Sequence, residues 1–172
     1  MKQYLLNSGQ TLTVREANDD DAVTIKKIIN SVASEKYYVV PEHSREDWDE
    51  AIREIKKRKG LIIVAQVNRK TVGMAHLVPG KFNKNRHVGF LGISILKGFR
   101  KMSIGTAMMN YIMKWTEQQQ GLEKIYLTVF STNDAAINLY HKFGFEIEGT
   151  SKKQYKIEGK YIDEITMGKF LT

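Results

Sequence analysis

Residues 87–106 read HVGFLGISILKGFRKMSIGT. Val88 to Leu96 is apolar enough for a buried strand, Lys97 to Met102 is a short basic turn, and an amphipathic helix opens near Ser103. A strand that feeds a glycine-containing turn and then a helix aims several unpaired backbone N–H groups, with the positive end of the helix dipole, at one spot. Such a spot suits a phosphate. Neither the G-x-x-x-x-G-K-[ST] loop nor the G-x-G-x-x-G turn is present, so the two common nucleotide fingerprints are excluded.

Outward from this stretch, hydrophobic periodicity orders the chain. Thr11 to Arg15 is a strand preceded by a lead-in strand or small hairpin partner around Tyr4 to Leu6, with Asn7-Ser8-Gly9 as the turn. Asp19, Asp20 and Asp21 supply the cap and first-turn charge of a helix carrying Ile25, Ile28, Ile29 and Val32 on one face. Glu35 to His43 reads as a loop, and Ser44 with Asp47 as a variant capping box before the stripe Trp48, Ala51, Ile52 and Ile55. Leu61 to Val67 and Thr71 to Val78 form a hairpin about Asn68-Arg69-Lys70, central in a sheet because its first strand is apolar on both faces. After the opening stretch come a helix to about Gln119, a strand from Lys124 to Phe130, and a helix from about Asn133. Gly144 is placed for a left-handed cap on that helix. Phe145 to Tyr155 and Tyr161 to Phe170 make a terminal hairpin. The order β-α-α-β-β-β-α-β-α-β-β predicts an α+β fold, an α/β-like sandwich with helices on both faces of a mixed sheet.

Composition narrows the function. The 172 residues, 42% hydrophobic and 27% charged, suit a single globular domain spanning 1–172. No apolar run approaches a membrane span and MKQYLLNSGQ has no signal-peptide core, so a cytoplasmic location is expected. Cysteine is absent, which excludes disulfides and thiol catalysis, and His43, His76, His87 and His141 are scattered without metal-ligand spacing. No metal is expected. The net charge of +8 is spread along the chain rather than gathered on one helix with interleaved aromatics, so nucleic acid is not the expected partner.

Arg100-Lys101-Met102-Ser103-Ile104-Gly105 resembles the R/Q-x-x-G-x-G/A signature of the GNAT superfamily of N-acetyltransferases. VFSTNDAAINLYHKFGFEIEG, residues 129–149, resembles its second signature through Asn133, Tyr140 and Gly144-Phe145. The resemblance runs from Thr11 to Lys169 and implies the GNAT fold, with a mixed, mostly antiparallel sheet. It also implies transfer of acetyl from acetyl-CoA to an amine acceptor in a ternary complex without a covalent enzyme intermediate. By the same resemblance the strands ending near Ile95 and Val129 splay apart. Backbone groups of Ile93 and Ile95 would pair with pantetheine, and Arg100, Lys101, Met102, Ser103, Ile104, Gly105 and Thr106 would hold the pyrophosphate. Asn133 would help hold the cofactor, and Tyr140 would bind there and protonate the departing thiolate. A phenol is protonated at neutral pH and can donate to a thiolate. Read without the family, Tyr140 is a core aromatic beside Ala136, Leu139 and Phe143, and Asn133 an N-cap.

Two positions depart from the family pattern. Lys101 and Ser103 stand where glycine is frequent; Lys101 is tolerated if its φ is negative, and Ser103 is expected to cap the helix and offer its hydroxyl to phosphate. No carboxylate lies on the strand His87 to Leu96, so Glu35 is the candidate base, and a water chain serves equally well. Seven acidic residues fall between Glu35 and Glu54, either attracting a cationic acceptor or forming a solvated helix face. The ending EGKYIDEITMGKF is similar to that of bacterial members acting on amino acids, polyamines, phosphinothricin-like compounds or ribosomal protein N-termini, and its strands could pair in a homodimer. Two other readings stay open: an acetyl-CoA-binding regulator without turnover, and a basic nucleic-acid-binding protein. Cofactor binding and then turnover separate the three.

Overall fold

The computed structural model describes residues 1–6, 8–35 and 48–171. The loop expected over Lys36 to His43, the Ser44 and Asp47 capping box, and Asn7 of the first turn lie outside the described residues.

Eight strands form one sheet in the order β1-β2-β3-β4-β5-β6-β8-β7. They are β1 (Lys2–Leu5), β2 (Thr11–Glu16), β3 (Leu61–Val67), β4 (Lys70–Pro79), β5 (Val88–Ile95), β6 (Lys124–Phe130), β7 (Glu146–Ile157) and β8 (Lys160–Phe170). The helices are α1 (Ala22–Ala33), α2 (Trp48–Lys57), α3 (Ile104–Thr116) and α4 (Asp134–Lys142). The opening segment is a complete hairpin, with Lys2 opposite Val14. The β5–β6 pair is parallel and every other pair antiparallel. The α3 crossover explains the exception, since parallel neighbours need a long connection over one face. At the hairpin between β3 and β4, Asn68 and Arg69 both have positive φ, 48° and 68°, the two-residue turn whose twist matches that of its strands. Lys70, placed in the turn by sequence, opens β4.

Period-two alternation divides the sheet's side chains between two cores. On one face Ile63, Ala75, Leu77, Leu91 and Leu127 meet Ile104, Met108 and Ile112 of α3, together with Tyr140 of α4. On the other Ile62, Val64 and Met74 meet Ile25, Ile28 and Val32 of α1 and Trp48, Ile52 and Ile55 of α2. At the far end β7 is an exposed edge strand. No helix among the described residues is long and apolar enough to cross a membrane.

The start of α1 differs from the expected cap. Asp21 makes no side-chain cap bond to the helix it precedes. Its carboxylate instead accepts from Arg15 Nη1 at 2.7 Å and Nη2 at 2.8 Å, and from the Asn18 N–H at 2.9 Å. Burial pushes the Asp21 carboxyl upward, but the Arg15 and Asn18 hydrogen bonds outweigh it and hold it below its ordinary value. A carboxylate depressed in the folded state stabilises above its unfolded value of about 4, and that stabilisation is lost as pH falls through the lower folded value. Asp21→Asn is expected to cost about 2 kcal/mol at pH 7, a melting-temperature drop of about 4–8 °C for a chain this size. Thermal melts check it: the gap to the wild type should close as pH is taken below about 4.

Candidate active site

The site begins where the sheet comes apart. β5 and β6 pair over Val88 with Lys124, Gly89 with Ile125 and Phe90 with Tyr126, and there the ladder ends. Each strand is held on its outer side, β5 by β4 and β6 by β8, over the length that diverges. The divergence is therefore built in, and a cleft of about 1540 Å³ enters it. Ile93, Ile95, Arg100, Lys101, Ser103, Ile104, Gly105, Thr106, Asn133 and Tyr140 all line this cleft. The two sequence stretches, about 30 residues apart in the chain, meet because α3 and α4 lie on the same face of the sheet.

At one end of the cleft the turn into α3 leaves its backbone donors exposed. Among the described residues, none of the N–H groups from Lys101 through Thr106 donates a hydrogen bond within the protein. Orphan donors at a helix N-terminus, backed by the dipole, favour an anion. Two expectations about this turn need correction. Lys101 has φ 61° rather than negative, and Ser103 has φ 59° and makes no side-chain cap. Both residues take the left-handed conformation that glycine adopts freely, at about 1–2 kcal/mol each. Left-handed residues tighten the turn, and backbone N–H groups in tight turns can form anion-binding concavities. Met102 contributes only backbone here: its side chain packs on the core and lines a smaller pocket toward the opening hairpin.

Arg100 and Glu35 are placed otherwise than the signature suggests. Arg100 Nε donates to the Ile95 carbonyl at 2.9 Å, while Nη1 and Nη2 donate to the two Glu35 oxygens at 2.7 Å and 2.8 Å. Such a fork is rigid and directional. It ties the end of α1 to the end of β5 and the turn, and it takes both oxygens of Glu35. Glu35 does not line the cleft.

On the opposite wall α4 presents Asn133 and Tyr140. The Asn133 side chain accepts from the Ala136 N–H at 3.2 Å, an N-cap that leaves the residue on the cleft wall. Gly144 has φ 79°; its N–H donates to His141 and that of Phe145 to the Tyr140 carbonyl, closing the expected left-handed cap. The Tyr140 ring is 7% exposed and lies 5.8 Å from the Phe145 ring. Tyr140 is packed in the core and also lines the cleft.

The other half of the cleft is lined in part by the Ser34 to Arg58 region, the stretch from which the family resemblance draws acceptor choice. Trp48, Ala51 and Ile55 of α2, with Met74, His76 and Val78 of β4 and Phe90 and Tyr126, line its floor, and Glu54, Arg58 and Lys81 stand among them. Burial alone pushes the His76 imidazole down to about 4, so it is neutral at pH 7. The alternation Met74, His76, Val78 was a legible signal that His76 faces α1 and α2. Of the seven clustered acidic residues, Glu54 lines the cleft, while Glu42, Glu46 and Asp47 lie outside the described residues.

Comparison with known proteins agrees with this geometry. A sequence profile of the acetyltransferase (GNAT) family matches residues 25–145. The chain is similar to an L-amino acid N-acetyltransferase, AaaT, of Escherichia coli, at 30% identity over 131 residues covering 76% of this chain and 79% of that one. Its fold superposes on the crystal structure of a GNAT-family acetyltransferase from Streptococcus pneumoniae with a TM-score of 0.85 at 27% identity, over 94% of this chain and 99% of that one. It also superposes, with a TM-score of 0.83 at 18% identity, on a phosphinothricin acetyltransferase from Sinorhizobium meliloti solved with AcCoA, over 92% of this chain and 88% of that one. With a split mixed sheet, a donor-rich turn at the split and a matching profile over most of its length, the chain belongs to the acetyltransferase (GNAT) family.

Proposed function

We propose that this protein transfers the acetyl group of acetyl-CoA to a primary amine in a ternary complex. The observation that carries the reading is the row of unpaired N–H groups from Lys101 to Thr106 at the mouth of a cleft that runs through the split sheet. Acetyl-CoA supplies the reactive thioester. The N–H row takes its pyrophosphate, with Lys101 adding charge, and the backbone of Ile93 with the N–H of Ile95, on the side that β6 leaves open, pairs with the pantetheine amides. A backbone N–H at the split polarises the thioester carbonyl. Asn133 shapes the α4 wall beside the thioester end. Tyr140 gives its phenolic proton to the departing sulfur as the amine takes the acetyl carbon, the amine's proton leaves through solvent, and solvent returns a proton to Tyr140. Amino acids, polyamines and protein N-termini are the acceptor classes, and a homodimer through the open edge of β7, read by light scattering, belongs to the same reading.

Glu35 acts in this scheme by holding Arg100 and hence the turn. Glu35→Gln is expected to weaken acetyl-CoA binding about 3–10-fold, the worth of roughly one ordinary hydrogen bond, with kcat nearly intact. A variant with unchanged affinity and a collapsed, pH-dependent kcat would return Glu35 to the role of base.

Calorimetric titration with acetyl-CoA, followed by free-thiol release against a panel of amines, tests the function. Binding with amine-dependent release is the expected result. Binding without release from any amine would favour a regulator without turnover, and absence of binding would defeat the reading.

A further inference from the structure

The acceptor half of the cleft holds a group that this reaction scheme does not use. His76 stands opposite Gly92 across the β4–β5 ladder. A Cβ on Gly92 would lie 2.6 Å from His76 Cε1 and 2.7 Å from Nε2, so the bare backbone there is what lets the imidazole lie down over β5. Trp48 flanks the ring at a centroid distance of 6.5 Å and Phe90 at 6.0 Å, and Tyr126 extends the row 5.2 Å beyond Phe90. The result is an aromatic strip along the α2 side of the cleft, starting one residue from Ile93. Within it His76 Nδ1 is buried without a hydrogen-bond partner among the described residues. Buried polar atoms are rarely left so, and the residue that carries this one lines the cleft.

The charges on this wall speak to the ligand's body. Among the described residues of this wall, Arg58 and Lys81 outnumber Glu54, whose carboxylate is also drawn toward Lys57 at 3.5 Å. A polycation would meet like charge and an apolar strip. A flat or apolar body would meet matching surface.

We propose that His76, Trp48, Phe90 and Tyr126 form the acceptor subsite, with His76 accepting a hydrogen bond from the acceptor's amine. The acceptor is a primary amine on an uncharged apolar or aromatic body. A neutral imidazole always keeps one acceptor nitrogen, so an amine that donates an N–H to it is left with its lone pair facing the thioester. The inference rests on the N-acetyltransferase reading.

The test compares 2-phenylethylamine with spermidine in the thiol-release assay, using the wild type, His76→Phe and His76→Asn, with acetyl-CoA binding measured on each sample. The wild type should favour 2-phenylethylamine about 10-fold or more in kcat/KM. His76→Phe should raise KM for that amine about 10-fold at unchanged acetyl-CoA affinity, and His76→Asn, which restores an acceptor, should recover part of it. In the unaltered protein saturated with coenzyme A, the ¹⁵N resonance of the His76 acceptor nitrogen should shift when 2-phenylethylamine is added. Preference for spermidine, an unchanged His76→Phe, or a still resonance would overturn the proposal. Turnover failing with both amines while acetyl-CoA binds would overturn it alone, and failure of acetyl-CoA to bind would overturn the parent reading with it.

Discussion

Tyr140→Phe is expected to lower kcat by about 100-fold or more while acetyl-CoA affinity stays within about two-fold. The substitution removes one oxygen and leaves the ring in place. The ring keeps its contact with Phe145 at 5.8 Å, and the cap that ties the Tyr140 carbonyl to the Phe145 N–H is main-chain and survives. Loss of rate then reports the proton that the leaving sulfur requires. Steady-state kinetics with calorimetry on the same sample separate the two quantities. An unaltered kcat across the pH range would leave Tyr140 as a core residue that happens to face the cleft.

Phe145→Ala carries the largest expected effect on stability, about 3–5 kcal/mol. Phe145 is 1% exposed and sits where the end of α4 turns into β7. Its truncation leaves a cavity under Tyr140, and both the wall of the site and the cap of the helix lean on the lost ring. For a chain of this length the melting temperature should fall on the order of 10 °C. Thermal denaturation checks it, and kcat measured well below the melting point should fall too, because Tyr140 loses the surface that fixes its angle. Intact kcat with lowered stability would mean that other contacts orient Tyr140.

What the sequence made legible was what depends on near neighbours. Strand and helix periods, the Gly144 cap and the two motif stretches are local, and each was placed within a few residues. The Arg100 and Glu35 pair joins positions 65 residues apart, so nothing around either one announces that the guanidinium faces a carboxylate. Lys101 and Ser103 carry no mark of a left-handed backbone in their own side chains; only the glycine frequent at these positions in the family pattern points to it. His76 was visible as a strand histidine but was weighed only as a metal ligand. Its meaning comes from Gly92 and Trp48, which reach it through the sheet register and the docking of α2.

The parting of β5 from β6 has a consequence for the protein's life between turnovers. A sheet normally keeps its raw edges at its margins, where they can be bent, charged or covered. Here two facing edges lie in the middle, each with hydrogen-bonding groups that no neighbouring strand can reach. A molecule that threads the gap finishes the sheet and is thermodynamically a piece of the fold, raising stability by RT ln(1 + [L]/Kd). On the proposed reading that coenzyme A is that molecule, resistance to proteolysis should rise with its concentration.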